Sequence, residues 1–169
     1  NIVQRLAGIA TLTRQYADAL AGTPVRLLDT RKTTPGFRFF EKYAVRVGGG
    51  HNHRLGLFDG VMIKDNHIAT VGDIGAAVRA ARGHAPVTVR IEVEAETLAQ
   101  VDAALAAGAD IIMLDNMDPD TMRQAAARVA GRAKLEASGR VTLEELPRVA
   151  AAGVDYISTS AVITRARWL

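Results

Sequence analysis

The chain has 169 residues, with 21 Lys and Arg against 18 Asp and Glu, 4 His and no Cys. That length suits one domain and is too short for a complete eight-stranded α/β barrel, which takes about 250 residues. Apolar content of 49% and charged content of 23% are those of a globular chain, which excludes disorder and collagen-like structure.

The segments alternate between strand and helix. The chain opens at Asn1 directly in a helical pattern (Ile2, Leu6, Ile9, Leu12) and stops at Trp168-Leu169, so both ends read as cuts in a longer protein. Strands are predicted at Val25–Thr30, Gly60–Lys64, Val87–Glu94, Asp110–Asp115, Ala133–Ser138 and Tyr156–Ser160. Helices are predicted at Phe37–Val47, Val71–Arg82, Ala95–Ala107, Pro119–Ala130 and Leu143–Ala152. Asp118-Pro119 supplies an N-cap followed by proline at the first helical position. Gly108, Gly131 and Gly153 stand where helices should end. Such alternation implies a parallel α/β fold with right-handed crossovers.

The strand patterns choose between an open sandwich and a barrel. A parallel strand covered on both faces reads as a continuous apolar run. Val87–Glu94 alternates instead, with Val87, Val89, Ile91 and Val93 on one face and Thr88, Arg90, Glu92 and Glu94 on the other. Ala133–Ser138 sets Leu135 and Ala137 against Lys134, Glu136 and Ser138. Helices cover the apolar face, so the polar face must line a lumen. We expect one domain over 1–169, a TIM-like parallel barrel of fewer than eight strands, about six, open or incomplete.

Chemistry in such folds collects at the carboxyl ends of strands. Those ends hold Asp29-Thr30-Arg31-Lys32, Lys64-Asp65-Asn66-His67, Glu92 and Glu94, Asp115-Asn116, Glu136 with Ser138-Gly139, and Ser158-Thr159-Ser160. Lys32, Lys64 and Lys134, of only four lysines, fall in or beside strands. Lys134, Glu136, Arg90 and Glu92 are also readable as a buried ion-pair network that fills the lumen. Gly48-Gly49-Gly50 precedes His51-Asn52-His53-Arg54, and three glycines let backbone amides approach an anion. Arg31, Lys32, His53, Arg54 and Lys64 would make a cationic pocket for a small ligand with at least two negative groups. The carboxylates of Glu94 and Asp115 would stand opposite, to meet sugar hydroxyls or hold Mg²⁺ through water. Ser138, Gly139 and Ser160 lie where barrels place phosphate. His51-x-His53 invites a zinc reading, but no third ligand stands at a suitable spacing, so no directly bound metal is expected. The net charge of +3 comes from 17 Arg and 4 Lys spread along the chain, with 5% aromatics, so no nucleic-acid partner is expected. No apolar run approaches the roughly 18 residues of a membrane span, and a cytoplasmic protein with no membrane partner is expected.

The runs Asp29–Gly36, Gly48–Gly56 with Asn52-His53-Arg54, Ile63–His67, Ile91–Glu94, Leu114–Asn116 and Glu136–Gly139 resemble, in this order, quinolinate phosphoribosyltransferase, also called nicotinate-nucleotide pyrophosphorylase (carboxylating). The resemblance extends over nearly the whole chain. It implies the barrel part of a protein whose N-terminal α/β sandwich domain lies outside this sequence and contributes an arginine to a partner subunit's site. It implies phosphoribosyl transfer from phosphoribosyl pyrophosphate to quinolinate with decarboxylation, yielding nicotinate mononucleotide, pyrophosphate and CO2 for NAD synthesis. Mg²⁺ would assist, in a homodimer or higher homo-oligomer. Carried over by position, Lys32, Lys64, Glu94 and Asp115 would be catalytic. Thr30, Arg31, Lys32, His53, Arg54 and Lys64 would hold quinolinate and pyrophosphate. Glu94 and Asp115 would meet the ribose, and Ser138, Gly139, Arg140 and Ser160 the 5′-phosphate. Relatives often carry glycine at the positions of Arg140 and Ser160; Arg140 is open to a phosphate contact or to solvent. Two other readings are a non-catalytic phosphate- or dicarboxylate-binding fragment and a molybdenum-associated paralogous enzyme.

Overall fold

The computed structural model describes residues 1–139 and 141–169. Its strands are β1 (Arg26–Leu28), β2 (Val61–Ile63), β3 (Ile91–Ala95), β4 (Ile111–Asp115), β5 (Lys134–Ser138) and β6 (Tyr156–Ser158). Its helices are α1 (Ile2–Ala19), α2 (Arg38–Val47), α3 (Asp65–Val71), α4 (Ile74–His84), α5 (Leu98–Ala106), α6 (Pro119–Val129), α7 (Leu146–Ala150) and α8 (Ala161–Thr164). All strand pairings are parallel, in the order β1-β6-β5-β4-β3-β2. First and last in that order, β1 and β2 are not paired, so the barrel is open between them.

The pleat decides which residues face the lumen. Ile91, Val93, Ala95, Ile112, Leu114, Leu135, Ala137 and Ile157 turn outward into the core under the helices, and all are buried. Their neighbours point inward. Glu92 sits beside Ile111, Glu94 beside Met113, Met113 beside Glu136, and Asp115 beside Ser138 in register. The expected alternation therefore holds for Ile91–Glu94. It fails for Val87–Arg90, which lie outside any strand, with Val87 fully exposed. Four alternating residues mimic a strand locally, but only Ile91 onward has partners on both sides to complete the ladder. The helix expected at Val71–Arg82 is two, α3 and α4, broken at Gly72-Asp73, where Asp73 caps α4 by accepting from the Ala76 amide at 2.7 Å. Asp118 caps α6 as expected, ahead of Pro119. Gly108, Gly131 and Gly153 all adopt positive φ just past their helices.

A short segment lies alongside the unpaired edge of β1. His51 donates its amide to Leu27 O at 2.8 Å, and its carbonyl accepts from Asp29 N at 3.0 Å, forming a single parallel bridge between Leu28 and His51. Gly48-Gly49-Gly50 leads into it. Instead of facing an anion, as their run suggests, these glycines pack against α1 and α2. A Cβ on Gly48 would stand 2.5 Å from Ala10 O, and one on Gly50 2.7 Å from Val45 Cγ1. Close approach of helix to loop is what needs them there.

Beneath that segment lies a buried ion pair. Asp29 is fully buried and Lys42, on α2, is 2% exposed; their side chains are hydrogen-bonded. Asn52 Nδ2 donates to Asp29 Oδ2 at 2.7 Å, the His53 amide donates to Asp29 Oδ1 at 2.8 Å, and Lys42 Nζ donates to His53 O at 3.1 Å. Burial raises the Asp29 pKa and lowers that of Lys42, so the two charges persist because they satisfy each other. Next to Lys42, fully buried Glu41 accepts from Arg5 (Nη2 at 2.9 Å) and from the amide and hydroxyl of Thr34 (2.9 and 2.8 Å). Arg5 also donates to the carbonyls of Ile163 and Ala166. One turn of α2 thus fixes both loops that carry the cations.

Lys42→Met is expected to cost about 3–5 kcal/mol in urea unfolding at pH 7, because it leaves Asp29 a buried charge without a partner. Asp29→Asn combined with Lys42→Met is expected to recover much of that loss; equal costs for the single and double variants would contradict the pairing.

Candidate active site

The carboxyl ends of the strands open into a cavity of about 710 Å³. Thr30, Arg31, Lys32, His53, Arg54, Lys64, Glu94, Asp115, Ser138, Gly139 and Ser160 all line it. Every described residue that the resemblance carries over to the site is therefore brought to one place; Arg140 lies outside the described residues. The cavity also takes in Arg38, Met62, Met113, Asn116, Glu136, Thr159 and Arg165. Arg38 escapes the sequence reading because it starts a helix and looks like a solvated charge. Its guanidinium turns back to Thr33 Oγ1 (3.1 Å), Arg31 O (3.3 Å) and Leu55 O (3.1 Å), tying the loop after β1 to the loop before β2.

Lys64 and Glu94, expected on opposite sides of the pocket, are hydrogen-bonded to each other across the ends of β2 and β3. The Lys64 amide also donates to His67 Nδ1 at 3.0 Å, at the start of α3, which holds the backbone at this corner. Asp115 accepts from Asn116 Nδ2 at 3.0 Å, and Asn116 takes positive φ as β4 ends. Arg54 is anchored by Nη1 to Gly60 O at 3.0 Å and by Nη2 to Met62 Sδ at 3.3 Å, while buried Nε has no partner among the described residues. Burial, and next the charge of Arg31, lowers the Arg54 pKa. A bound anion would relieve both.

Gly139 is required by its place. Its φ is +132°, and a Cβ would stand 2.5 Å from Asn116 Oδ1. The backbone between β5 and the cavity can follow this path only without a side chain.

Below the cation layer, His53 Nε2 lies 3.1 Å from Glu92 Oε2 and 3.4 Å from Glu136 Oε2. Glu92 is 3% exposed and Glu136 fully buried. The strand pattern puts Glu92 and Glu136 in a lumen network with Lys134 and Arg90. The two acids are there, but their cation is His53. Lys134 is exposed at the opposite mouth, 2.6 Å from Asp155, and Arg90 is exposed before β3. Position within a strand tells which face each side chain takes, not how deep along the lumen it lies. His51 is exposed and turned from this cluster, so the His-x-His spacing does not form a shared site.

Burial pulls the His53 pKa down, but hydrogen bonds to Glu136 and Glu92 and their charges more than offset this and hold it at about 10. Burial raises the pKa of Glu92. The Arg54 amide donates to His53 Nδ1 at 2.7 Å, which leaves Nε2 to face the two acids. An imidazolium with two carboxylates and a neutral imidazole with one carboxylic acid and one carboxylate contain the same two protons. Either way the cluster takes up protons on folding.

Residues 9–169 match the family described as quinolinate phosphoribosyl transferase, C-terminal domain. A probable nicotinate-nucleotide pyrophosphorylase (carboxylating) from Bacillus subtilis is 56% identical over 94% of this chain and 55% of its own length. Its namesake from Synechocystis is 53% identical over 100% of this chain and 58% of its own. The crystal structure of NadC from Streptococcus pyogenes superposes with a TM-score of 0.96 at 47% identity, covering 100% of this chain and 59% of that one. The chain thus spans less than two thirds of the length of these relatives.

The sign of the His53 shift sets a pH dependence. A raised histidine pKa contributes stability that is complete below pH 6.5 and is lost as pH rises through about 10. The raised Glu92 acts in the same direction. The thermal midpoint is expected to fall across that window, and to fall less in His53→Gln; a midpoint flat to pH 10 would contradict the cluster. Gly139→Ala is expected to lower stability by about 1–3 kcal/mol from backbone strain, read by calorimetry.

Proposed function

We propose a function from one premise: the chain belongs to the quinolinate phosphoribosyl transferase family. In the intact protein it transfers phosphoribose from phosphoribosyl pyrophosphate to the ring nitrogen of quinolinate, and the product loses CO2 to become nicotinate mononucleotide. The observation that carries this reading is the convergence of Arg31, Lys32, Arg54 and Lys64 with Glu94 and Asp115 on one cavity.

Each charge has a part in such a transfer. Quinolinate brings two carboxylates, and the cations at the ends of β1 and β2 suit them, with Arg54 able to clamp one bidentately. Departure of pyrophosphate leaves positive charge at the sugar carbon. The Glu94 and Asp115 carboxylates would stabilise that charge, while Lys32 and Arg31 would stabilise the leaving group. Ser138, Gly139 and Ser160, across the mouth, would hold the 5′-phosphate. Fixing two anionic reactants in line contributes most to the rate, about 7–11 kcal/mol when the geometry is good.

Magnesium belongs to the same proposal. Glu94 and Asp115 offer the hard oxygen donors that suit it. Glu94 is already paired with Lys64, so these residues would hold the ion through water. When bound, it would neutralise charge on the pyrophosphate.

A homodimer or higher assembly is also proposed. Phe39 (70% exposed), Tyr43 (62%), Leu57 (74%) and Phe58 (77%) support it, as large apolar side chains that would gain by being covered. Among the described residues no helix is long and apolar enough to cross a membrane, and we assign the protein to the cytoplasm.

Alanine at Lys32, Lys64, Glu94 or Asp115 in the intact protein is expected to lower kcat/KM for quinolinate consumption by about 10²–10³-fold each. Near-normal values for all four would overturn the site, and no consumption by the unmodified protein would overturn the reaction.

A further inference from the structure

Just past the ends of β5 and β6 the wall of the cavity is neutral, formed by Ser138, Gly139, Ser158, Thr159 and Ser160. Ser158 is 2% exposed and stands beside Ser138 in register. Its buried Oγ has no hydrogen-bond partner among the described residues. A hydroxyl left open in this way is costly unless something in the cavity meets it. Beyond β6, Arg165 brings a cation to the same cavity. Its side chain is exposed and makes no hydrogen bond or ion pair among the described residues.

The backbone beneath Arg165 is fixed. Its amide donates to Ala161 O at 3.0 Å, one turn back across α8, and Ala161 also lines the cavity. Residues four apart share a helix face, so Arg165 stands over the wall that Ser160 and Ala161 begin. On either side of it, Ile163 O and Ala166 O accept from Arg5 at 2.9 and 3.0 Å. Val162 and Ile163 are buried. A long charged side chain is thus left free on an anchored backbone, and folding does not use its charge.

We infer that Arg165 is a specificity residue, which pairs with the 5′-phosphate of the phosphoribosyl group and makes recognition of the sugar depend on that phosphate. The inference rests on the reaction proposed above and adds to it a residue from outside the strand ends. A phosphate ester carries a charge of about −1.5 to −2 at pH 7. Hydroxyls and backbone amides supply it with hydrogen bonds but no net charge. A guanidinium supplies that charge and can engage two oxygens at once. Arg31, Lys32, Arg54 and Lys64 come from the segments after β1 and around β2, and suit the carboxylates and the pyrophosphate. Arg165 comes from the turn after β6, beside the serines. The 5′-phosphate takes no part in bond making and is common to donor and product. Its contact with Arg165 therefore stabilises ground state and transition state alike, which sets affinity and leaves the chemical step unchanged.

The test uses the intact protein and two ligands that differ by one group, nicotinate mononucleotide and the nucleoside that lacks its phosphate. Affinities are measured by calorimetry for the unmodified protein, Arg165→Ala and Arg165→Lys. Arg165→Ala is expected to weaken the nucleotide about 10–100-fold, in line with loss of a hydrogen bond to a charged group, and to leave the nucleoside unchanged. Arg165→Lys keeps the charge without the fork and is expected to recover part of the loss. In steady state, Arg165→Ala should raise KM for phosphoribosyl pyrophosphate by a similar factor, with kcat and KM for quinolinate near normal. Equal weakening of nucleotide and nucleoside, or weakening of neither, would overturn the assignment. If the nucleoside binds too weakly to be measured, the kinetic split decides, and equal rises in both KM values would overturn it. If Arg165→Ala does not fold, the same comparisons in Arg165→Lys decide. Failure of the unmodified protein to consume quinolinate would instead overturn the proposed reaction.

Discussion

The burial of Asp29 against Lys42 is the constraint on which this molecule depends. A carboxylate and an ammonium without water are tolerated only when each has its charge matched and its remaining hydrogen-bonding capacity filled. Here Asn52, the His53 amide and the His53 carbonyl supply the rest. The result is that the end of β1, the first half of α2 and the segment 51–54 are fixed relative to one another. Through that segment His53 and Arg54 inherit their positions, one facing two buried acids and the other facing the cavity.

The open side of the barrel explains why so many polar contacts gather there. A closed barrel holds its strand-end loops by hydrogen bonds all the way round. Between β1 and β2 no ladder exists, and the loops on either side carry most of the cations. Arg38 joins the two loops through carbonyl and hydroxyl contacts, and Glu41 with Arg5 joins the loop after β1 to α1 and α8. Polar side chains thus do at the gap what backbone pairing does elsewhere. Like charges can then be held together around a cavity, where an anionic ligand of the kind proposed would relieve their repulsion.

Much of this is legible in the sequence. Strand-then-helix alternation, Asp118-Pro119 and the glycines after helices are local signals, and local sterics fix them. Polar groups at strand ends point to the cavity because parallel crossovers put all those ends on one side. Other readings fail where the local signal is shared by two structures. Val87–Arg90 alternates as a strand does but lies outside the ladder, which reaches it only where Arg90 O accepts from Val61 N. The glycines at 48–50 look like an anion cradle but serve close packing against α1. Lys134 looks buried because it begins a strand, and it emerges into solvent at the wrong end of the lumen.

The sequence by itself determined the class of fold and the residues that share the carboxyl-end mouth, since each follows from periodicity and chain direction. Only the tertiary structure decided which charges pair. Lys42 meets Asp29, Lys64 meets Glu94, and His53 settles between Glu92 and Glu136. A buried charge takes whichever partner lies within a few ångströms. That distance is set by the stagger of the strands and the seating of α2, and no spacing along the chain encodes it.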